Sequence, residues 1–230
     1  CTLNISNSDI SYNEAIQDGG GVWSNNGGSL SLSDSSVVNN IYPDNNSWGF
    51  IAGVPVLMDG TLDLDDFANG GASIEFSAGT DCLINSRYIQ GGYQIFNFDD
   101  LEMTKALVLN GTFYRNGSLV IANESNSLNS ANVGDVFPII QANSIDPSIP
   151  NFNSYVFPTL PVGVGLQIIE YTSSDSNDTE IAAEVIEVES AQYSAPFVAD
   201  LDSLPMDIES FDADGFGGDE VVILYDGNPG

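Results

Sequence analysis

An offset of 27 residues organises the start of this chain. Leu3-Asn4-Ile5-Ser6 aligns with Leu30-Ser31-Leu32-Ser33, and the match continues through Ser8 with Ser35, Ile10 with Val37 and Asn13 with Asn40. In both copies apolar and polar residues alternate before a Ser, one apolar residue and an Asn. Alternation places Leu3 and Ile5 on one face of a strand, and Leu30 and Leu32 on the same face one period later. A short strand cannot bury such a face alone and must stack on a neighbour. Asn at the turns tolerates left-handed backbone and can form stacked amide ladders. The run Gly19-Gly20-Gly21 between the copies lets the backbone turn tightly. A period in the twenties built from short strands predicts the rungs of a parallel β-helix.

The remainder is also written for strands. Val, Ile, Leu, Phe and Tyr recur in short runs separated by Gly, Asn, Asp and Pro, and helical periodicity is scarce. From about residue 55 the period fades, but strands are expected at residues 61–64, 72–76, 106–109, 118–121, 166–171 and from 180 to 188. Asn110-Gly111 and Asn116-Gly117 predict tight turns between such runs. The expected class is therefore all-β, in three regions. Residues 1–55 are β-helix rungs, and residues 56–190 form a β-rich module that caps the open solenoid end. Residues 191–230 are a separate, truncated piece.

Charge narrows the function classes. The 230 residues carry 33 acidic side chains against Arg87, Lys105 and Arg115, a formal net charge of −30. Three cations cannot build a basic patch, which excludes a nucleic-acid partner and docking on an anionic membrane. No run reaches the ~20 apolar residues of a membrane helix, so direct insertion is not expected. Histidine is absent, which removes the commonest general base and zinc ligand together with Ser-His-Asp and Cys-His chemistry. Carboxylate pairs at glycosidase spacing arise by chance among so many acids and carry no information. No enzymatic activity is expected, and no catalytic residue is assigned. A strongly acidic surface fits an extracellular, high-salt or calcium-containing medium. The two cysteines, Cys1 and Cys82, read as two buried thiols, as a disulfide, or as a buried thiol and a lipidated N-terminal Cys1. The chain starts on Cys1 and stops just after a strand-like run, so both ends read as cut from something longer.

One motif carries ion chemistry. Asp212-Ala213-Asp214-Gly215-Phe216-Gly217-Gly218-Asp219-Glu220 runs straight into Val221-Val222-Ile223-Leu224. Carboxylates at alternate positions of a glycine-rich loop can converge on Ca²⁺. The loop is not an EF-hand, because its twelfth position is Ile223. It resembles the calcium loop of FG-GAP or VCBS repeats, the blades of integrin-like β-propellers. That resemblance implies Asp212 and Asp214 as ligands, the Gly218 carbonyl as a third, and Glu220 or Asp219 as the closing carboxylate. Phe216 stands where the family carries Asp or Asn. The loop is thus either a working Ca²⁺ site completed by water or a degenerate one. Trp23, Trp48, Tyr12 and Tyr42 are either sugar-stacking platforms or rung packing.

The early rungs, with Ser8-Asp9-Ile10-Ser11-Tyr12-Asn13 followed by Gly19-Gly20-Gly21-Val22, resemble right-handed β-helix surface proteins of the polymorphic outer-membrane and autotransporter-passenger type. Residues 56–189 resemble the segment that closes such regions in large bacterial surface proteins. They carry Gly134-Asp135-x-Phe137-x-Ile139-Ile140-x-Ala142 and then Phe157-Pro158-x-Leu160-Pro161-x-Gly163. The resemblance implies a non-catalytic structural or adhesive scaffold at the cell surface, presented to an extracellular protein or glycan. The alternative it implies is an accessory carbohydrate-binding region of a polysaccharide-active enzyme whose catalytic residues lie outside this chain.

Overall fold

In the computed structural model the described residues are 2–16, 19–24, 27–41, 48–98, 105–149, 151–173, 178–188, 205–211 and 220–225, the last two ranges as backbone only. The chain divides into two compact units, residues 1–188 and 189–230. The first unit is all-β, a single curled, mixed sheet of 15 strands. Its strands are β1 (Thr2–Ser6), β2 (Asp9–Ser11), β3 (Val22–Ser24), β4 (Ser29–Val38) and β5 (Phe50–Ala52). They continue with β6 (Val56–Asn69), β7 (Ile74–Phe76), β8 (Asp81–Gln90), β9 (Tyr93–Asn97) and β10 (Leu107–Tyr114). The last are β11 (Ser118–Ala122), β12 (Val136–Ile145), β13 (Ser154–Val156), β14 (Val164–Thr172) and β15 (Thr179–Glu187). Among the described residues the one helical piece is a 3₁₀ turn at Ser127–Ser130.

Parallel pairing runs through this sheet in three ladders. The first passes from β1 to the start of β4, the start of β6, then β7, β9, β11 and β13. The second joins β2, the end of β4, the middle of β6, the start of β8, the start of β10 and β12. The third joins β3, β5, the end of β6, the end of β8 and the end of β10. The first pairing falls in the 27-residue register that the sequence alignment predicts: Leu3 sits beside Leu30, Ile5 beside Leu32 and Ile10 beside Val37.

The core consists of columns, because parallel pairing puts the same face of every strand inward. In the second ladder Val37, Leu64, Ile84, Leu109 and Ala142 are stacked neighbours, and all are buried. Beside them Leu62, Cys82, Leu107 and Ile140 form another buried column. Cys82 is a free thiol, and burial pushes its pKa up. Cys1 lies outside the described residues. The third ladder stacks aromatics. Phe67 meets Phe50 edge-on at 4.8 Å and Tyr88 face-on at 5.9 Å, and Tyr88 in turn stacks on Phe113 at 5.4 Å. Such contacts add stabilisation beyond the area they bury.

The two ends of the ladders differ. At the late end, β15 pairs antiparallel with β12, and β14 pairs antiparallel with β15. Leu166 on β14 is buried, and Val164 and Ile168 pack against the same core. This hairpin replaces a further parallel strand and covers apolar side chains that would otherwise face water. At the early end, Leu3 is 50% exposed, whereas its neighbour Leu30 is 1% exposed.

The turn expected at Asn110-Gly111 is not a turn. Both residues lie inside β10, where the register against β12 shifts between Leu109 and Thr112. Glycine is required there for a different reason. A Cβ on Gly111 would sit 1.4 Å from the Ser86 carbonyl oxygen of the adjacent strand. Asn116-Gly117 does separate two strands, with Gly117 at φ +80°.

The second unit contains β16 (Pro205–Phe211) and β17 (Glu220–Tyr225), paired antiparallel.

Candidate functional site

Of the predicted calcium ligands, Asp212, Asp214, Gly218 and Asp219 lie outside the described residues. Glu220 opens β17, and its backbone pairs with Phe211 at the end of β16. Hairpin pairing therefore brings together the two ends of the segment that carries the other ligands. Among the described residues no group of three or more His, Cys, Asp or Glu is placed to hold a metal ion.

All three cations of the chain are taken up in ion pairs. Arg87 pairs with Asp66 at 3.1 Å, Lys105 with Glu180 at 2.6 Å, and Arg115 with Glu170. Arg87 on β8 reaches β6, whereas Lys105, just before β10, reaches β15, and Arg115, just after β10, reaches β14. The register of β6 against β8 shifts between Leu64 and Asp66, and this breaks the alternation so that Asp66 and Phe67 are both buried. The Asp66 carboxylate accepts the Gly49 and Phe50 N–H groups at 2.7 and 3.3 Å through Oδ1, leaving Oδ2 for Arg87. The Arg87 guanidinium also lies 4.1 Å from the Trp48 ring centre, a cation–π contact. Asp65, next to Asp66 in the chain, has its pKa raised by burial and by the charges of Asp66 and Asp63, against a hydrogen bond from the Asn39 N–H.

Lys105 and Glu180 anchor the closing hairpin. Lys105 also donates to Gln141 on β12, whose amide donates to Asp178 at the start of the returning strand. Burial raises the Glu180 pKa, but hydrogen bonds from Lys105, Tyr171 and Ser173 outweigh it and hold the carboxyl below its ordinary value. Burial and the Glu180 carboxylate push the Tyr171 phenol up to about 12. These groups are tuned by one another, and each already has a structural partner.

Polar side chains also form ladders. Asn13 donates to Asn40 Oδ1 through both its backbone N–H and its side chain, at 3.1 and 3.0 Å. Further along, Asn85 donates to Asp63 at 2.8 Å, and Asn110 donates to Asn85 at 3.2 Å. The second ladder escapes sequence reasoning because its members do not recur at a constant spacing. Of the candidate sugar platforms, Trp48 is engaged by Arg87, Tyr42 lies outside the described residues, and Trp23 and Tyr12 are exposed.

No protein-family model matches the chain, and no curated protein matches it. Among the described residues no helix is long and apolar enough to cross a membrane.

Proposed function

We propose that this chain is a non-catalytic extracellular scaffold, the closing part of a right-handed parallel β-helix followed by an FG-GAP- or VCBS-like calcium-binding piece. The observation that carries the reading is the use made of the cations. Arg87, Lys105 and Arg115 are each held in an ion pair with a carboxylate on a strand of the first unit, so each is already committed to a structural partner rather than to an anionic substrate. The hand follows from the strong preference of parallel crossover connections for the right-handed form. Such a body offers a long, acidic surface to an extracellular protein or glycan. The test is incubation with neutral and uronate polysaccharides, followed by an assay for new reducing or unsaturated ends. The scaffold reading expects none, and turnover would overturn it.

A second reading, an accessory carbohydrate-binding region, is favoured by Trp23, which is 63% exposed on β3. Glycan binding that is lost in Trp23→Ala would support it. The calcium site at Asp212, Asp214, Gly218, Asp219 and Glu220 has its own test. Calcium at a hundredfold its Kd adds ~2.7 kcal/mol to the state that binds it. The melting temperature of the second unit therefore rises with calcium but not with magnesium, and Asp212→Ala/Asp214→Ala abolishes the rise. No response in the unsubstituted chain would refute the site.

A further inference from the structure

Asn-Gly dipeptides stand at Asn26, Asn69, Asn110 and Asn116. Glycine carries no side chain to shield its nitrogen, so in each dipeptide that nitrogen can attack the asparagine side chain. Asn26 lies outside the described residues, and the fold separates the other three. Asn69 is 1% exposed. Its Oδ1 accepts the Gly71 and Ala72 N–H groups at 3.3 and 3.1 Å, and its amide donates to the Val54 carbonyl at 3.2 Å. The Gly70 N–H is engaged as well, with the Ala52 carbonyl at 3.3 Å. Asn110 lies inside β10 and donates its amide to Asn85, while Gly111 is pressed against the backbone of Ser86. Asn116 differs on every count. It is half-buried, it lies in the bend between β10 and β11, and Gly117 has φ +80°. Its backbone is held, since its N–H donates to the Tyr114 carbonyl at 2.8 Å and its carbonyl accepts the Gln94 amide at 3.1 Å. Among the described residues neither its side chain nor the Gly117 N–H makes a hydrogen bond. The attacking nitrogen and the amide it would attack are thus both uncommitted in this dipeptide alone of the three.

We propose that Asn116-Gly117 is a self-modification site, at which the asparagine becomes isoaspartate and aspartate with loss of ammonia, and that this change loosens β11 and β13. The Gly117 nitrogen gives up its proton to solvent base and attacks Asn116 Cγ. A C–N bond forms, the Cγ–Nδ2 bond breaks, and Nδ2 leaves as ammonia after taking a proton from water. Water then opens the resulting cyclic imide. Cleavage of its bond to Cγ yields aspartate, and cleavage of its bond to the main-chain carbonyl yields isoaspartate, which runs the chain through the side chain and lengthens it by one methylene. The turn has no room for that length. The Gly117 carbonyl accepts the Asn153 N–H at 2.7 Å, and the Ser118 N–H donates to the Gly92 carbonyl at 2.9 Å. A Cβ on Gly117 would stand 2.0 Å from that same Gly92 oxygen. These contacts lead into the pairing of β11 with β9 and β13, so a longer backbone displaces the start of both ladders. The chemistry needs no partner and is independent of the scaffold, calcium and glycan readings.

The full chain is incubated folded in mildly alkaline buffer, and in parallel unfolded in guanidinium chloride. Conversion is read site by site by peptide mapping with mass spectrometry that separates aspartate from isoaspartate. Unfolded, the dipeptides are alike and convert at similar rates. In the folded chain Asn116 is expected to convert on the order of tenfold faster than Asn69 or Asn110, because each of those must first break hydrogen bonds of its own. Converted protein, resolved by its added charge on ion exchange, should show faster hydrogen exchange in residues 118–122 and 154–156. Asn116→Gln keeps the amide but must close a larger, slower ring, and it should lose both changes. Conversion of Asn69 or Asn110 as fast as Asn116 in the folded chain overturns the proposal. So does an Asn116 that stays intact while the unfolded sample converts. Equal loosening in Asn116→Gln, or none in the converted protein, overturns the effect on β11 and β13.

Discussion

Removing the Arg87 guanidinium tests whether the buried carboxylate of Asp66 depends on it. Arg87→Met keeps most of the aliphatic stem and deletes the cation that faces Asp66 Oδ2, while the Gly49 and Phe50 N–H groups still donate to Oδ1. Breaking a buried pair in this way costs ~3–5 kcal/mol. The Arg87 side chain is 21% exposed, so water reaches the outer end of the pair and the cost falls to ~2–3 kcal/mol. Loss of the cation–π contact to Trp48 adds ~0.5–1 kcal/mol. The sum is about 3 kcal/mol, a fall in melting temperature of roughly 6–12 °C for a unit of this size. Adding Asp66→Asn should restore part of the loss, about 1–2 kcal/mol, because the amide oxygen still accepts from Gly49 and Phe50 without a buried charge. Tryptophan fluorescence in urea is the assay, since Trp23 and Trp48 both belong to the first unit and report its unfolding alone. A stability change under ~0.5 kcal/mol in Arg87→Met, the range of an ordinary surface substitution, would refute the reasoning. Strict additivity of the two substitutions would do the same, because contacting charges must couple.

Phe67→Ala removes the central ring of the Phe50, Phe67 and Tyr88 column and should cost ~3–5 kcal/mol in the same assay; a loss under ~1 kcal/mol would mean that the column relaxes freely. Glu180 has a lowered folded-state pKa, so its stabilising contribution is complete above the ordinary glutamate value of 4.5 and is lost as pH falls through the folded value. Urea unfolding between pH 6 and 3 should show a smaller acid-side loss in Glu180→Gln than in the unsubstituted chain, and identical pH profiles would remove Glu180 from the account.

The first pairing was legible because two strands in a row keep both their spacing and their residue types. Leu3 and Ile5 meet Leu30 and Leu32 in the register that the alignment gives. Thereafter the first ladder steps from Leu30 to Val56, Ile74, Gln94, Leu119 and Tyr155. The connecting chain shortens and lengthens at every step, so no single period survives. Residue type also fails as a guide, since Gln94 occupies an inward position between Ile74 and Leu119. It is fully buried because the Tyr88 hydroxyl donates to its oxygen and its amide donates to the Asn116 carbonyl. The closing hairpin was readable as two strands, at residues 166–171 and 180–188, because two short apolar runs are separated by the polar stretch from Thr172 to Thr179. Its antiparallel seat on β12 was not, since pairing partners leave no mark in one sequence.

The candidate groups failed for a related reason. Asp66 in isolation reads as one more surface acid among 33, and what buries it is a register shift whose only local trace is the adjacent pair Asp65-Asp66. Arg87 is 21 residues away along the chain and reaches Asp66 because β6 and β8 are neighbours. The same logic bears on function. In a chain of net charge −30 with three basic side chains, a cation paired with a carboxylate has no competitor for it, and its loss cannot be made good by another. Scarcity of cations therefore makes each of these three ion pairs one that no second cation can restore. A scaffold can tolerate that arrangement, whereas an enzyme acting on anionic polymers would need at least one of those cations left over.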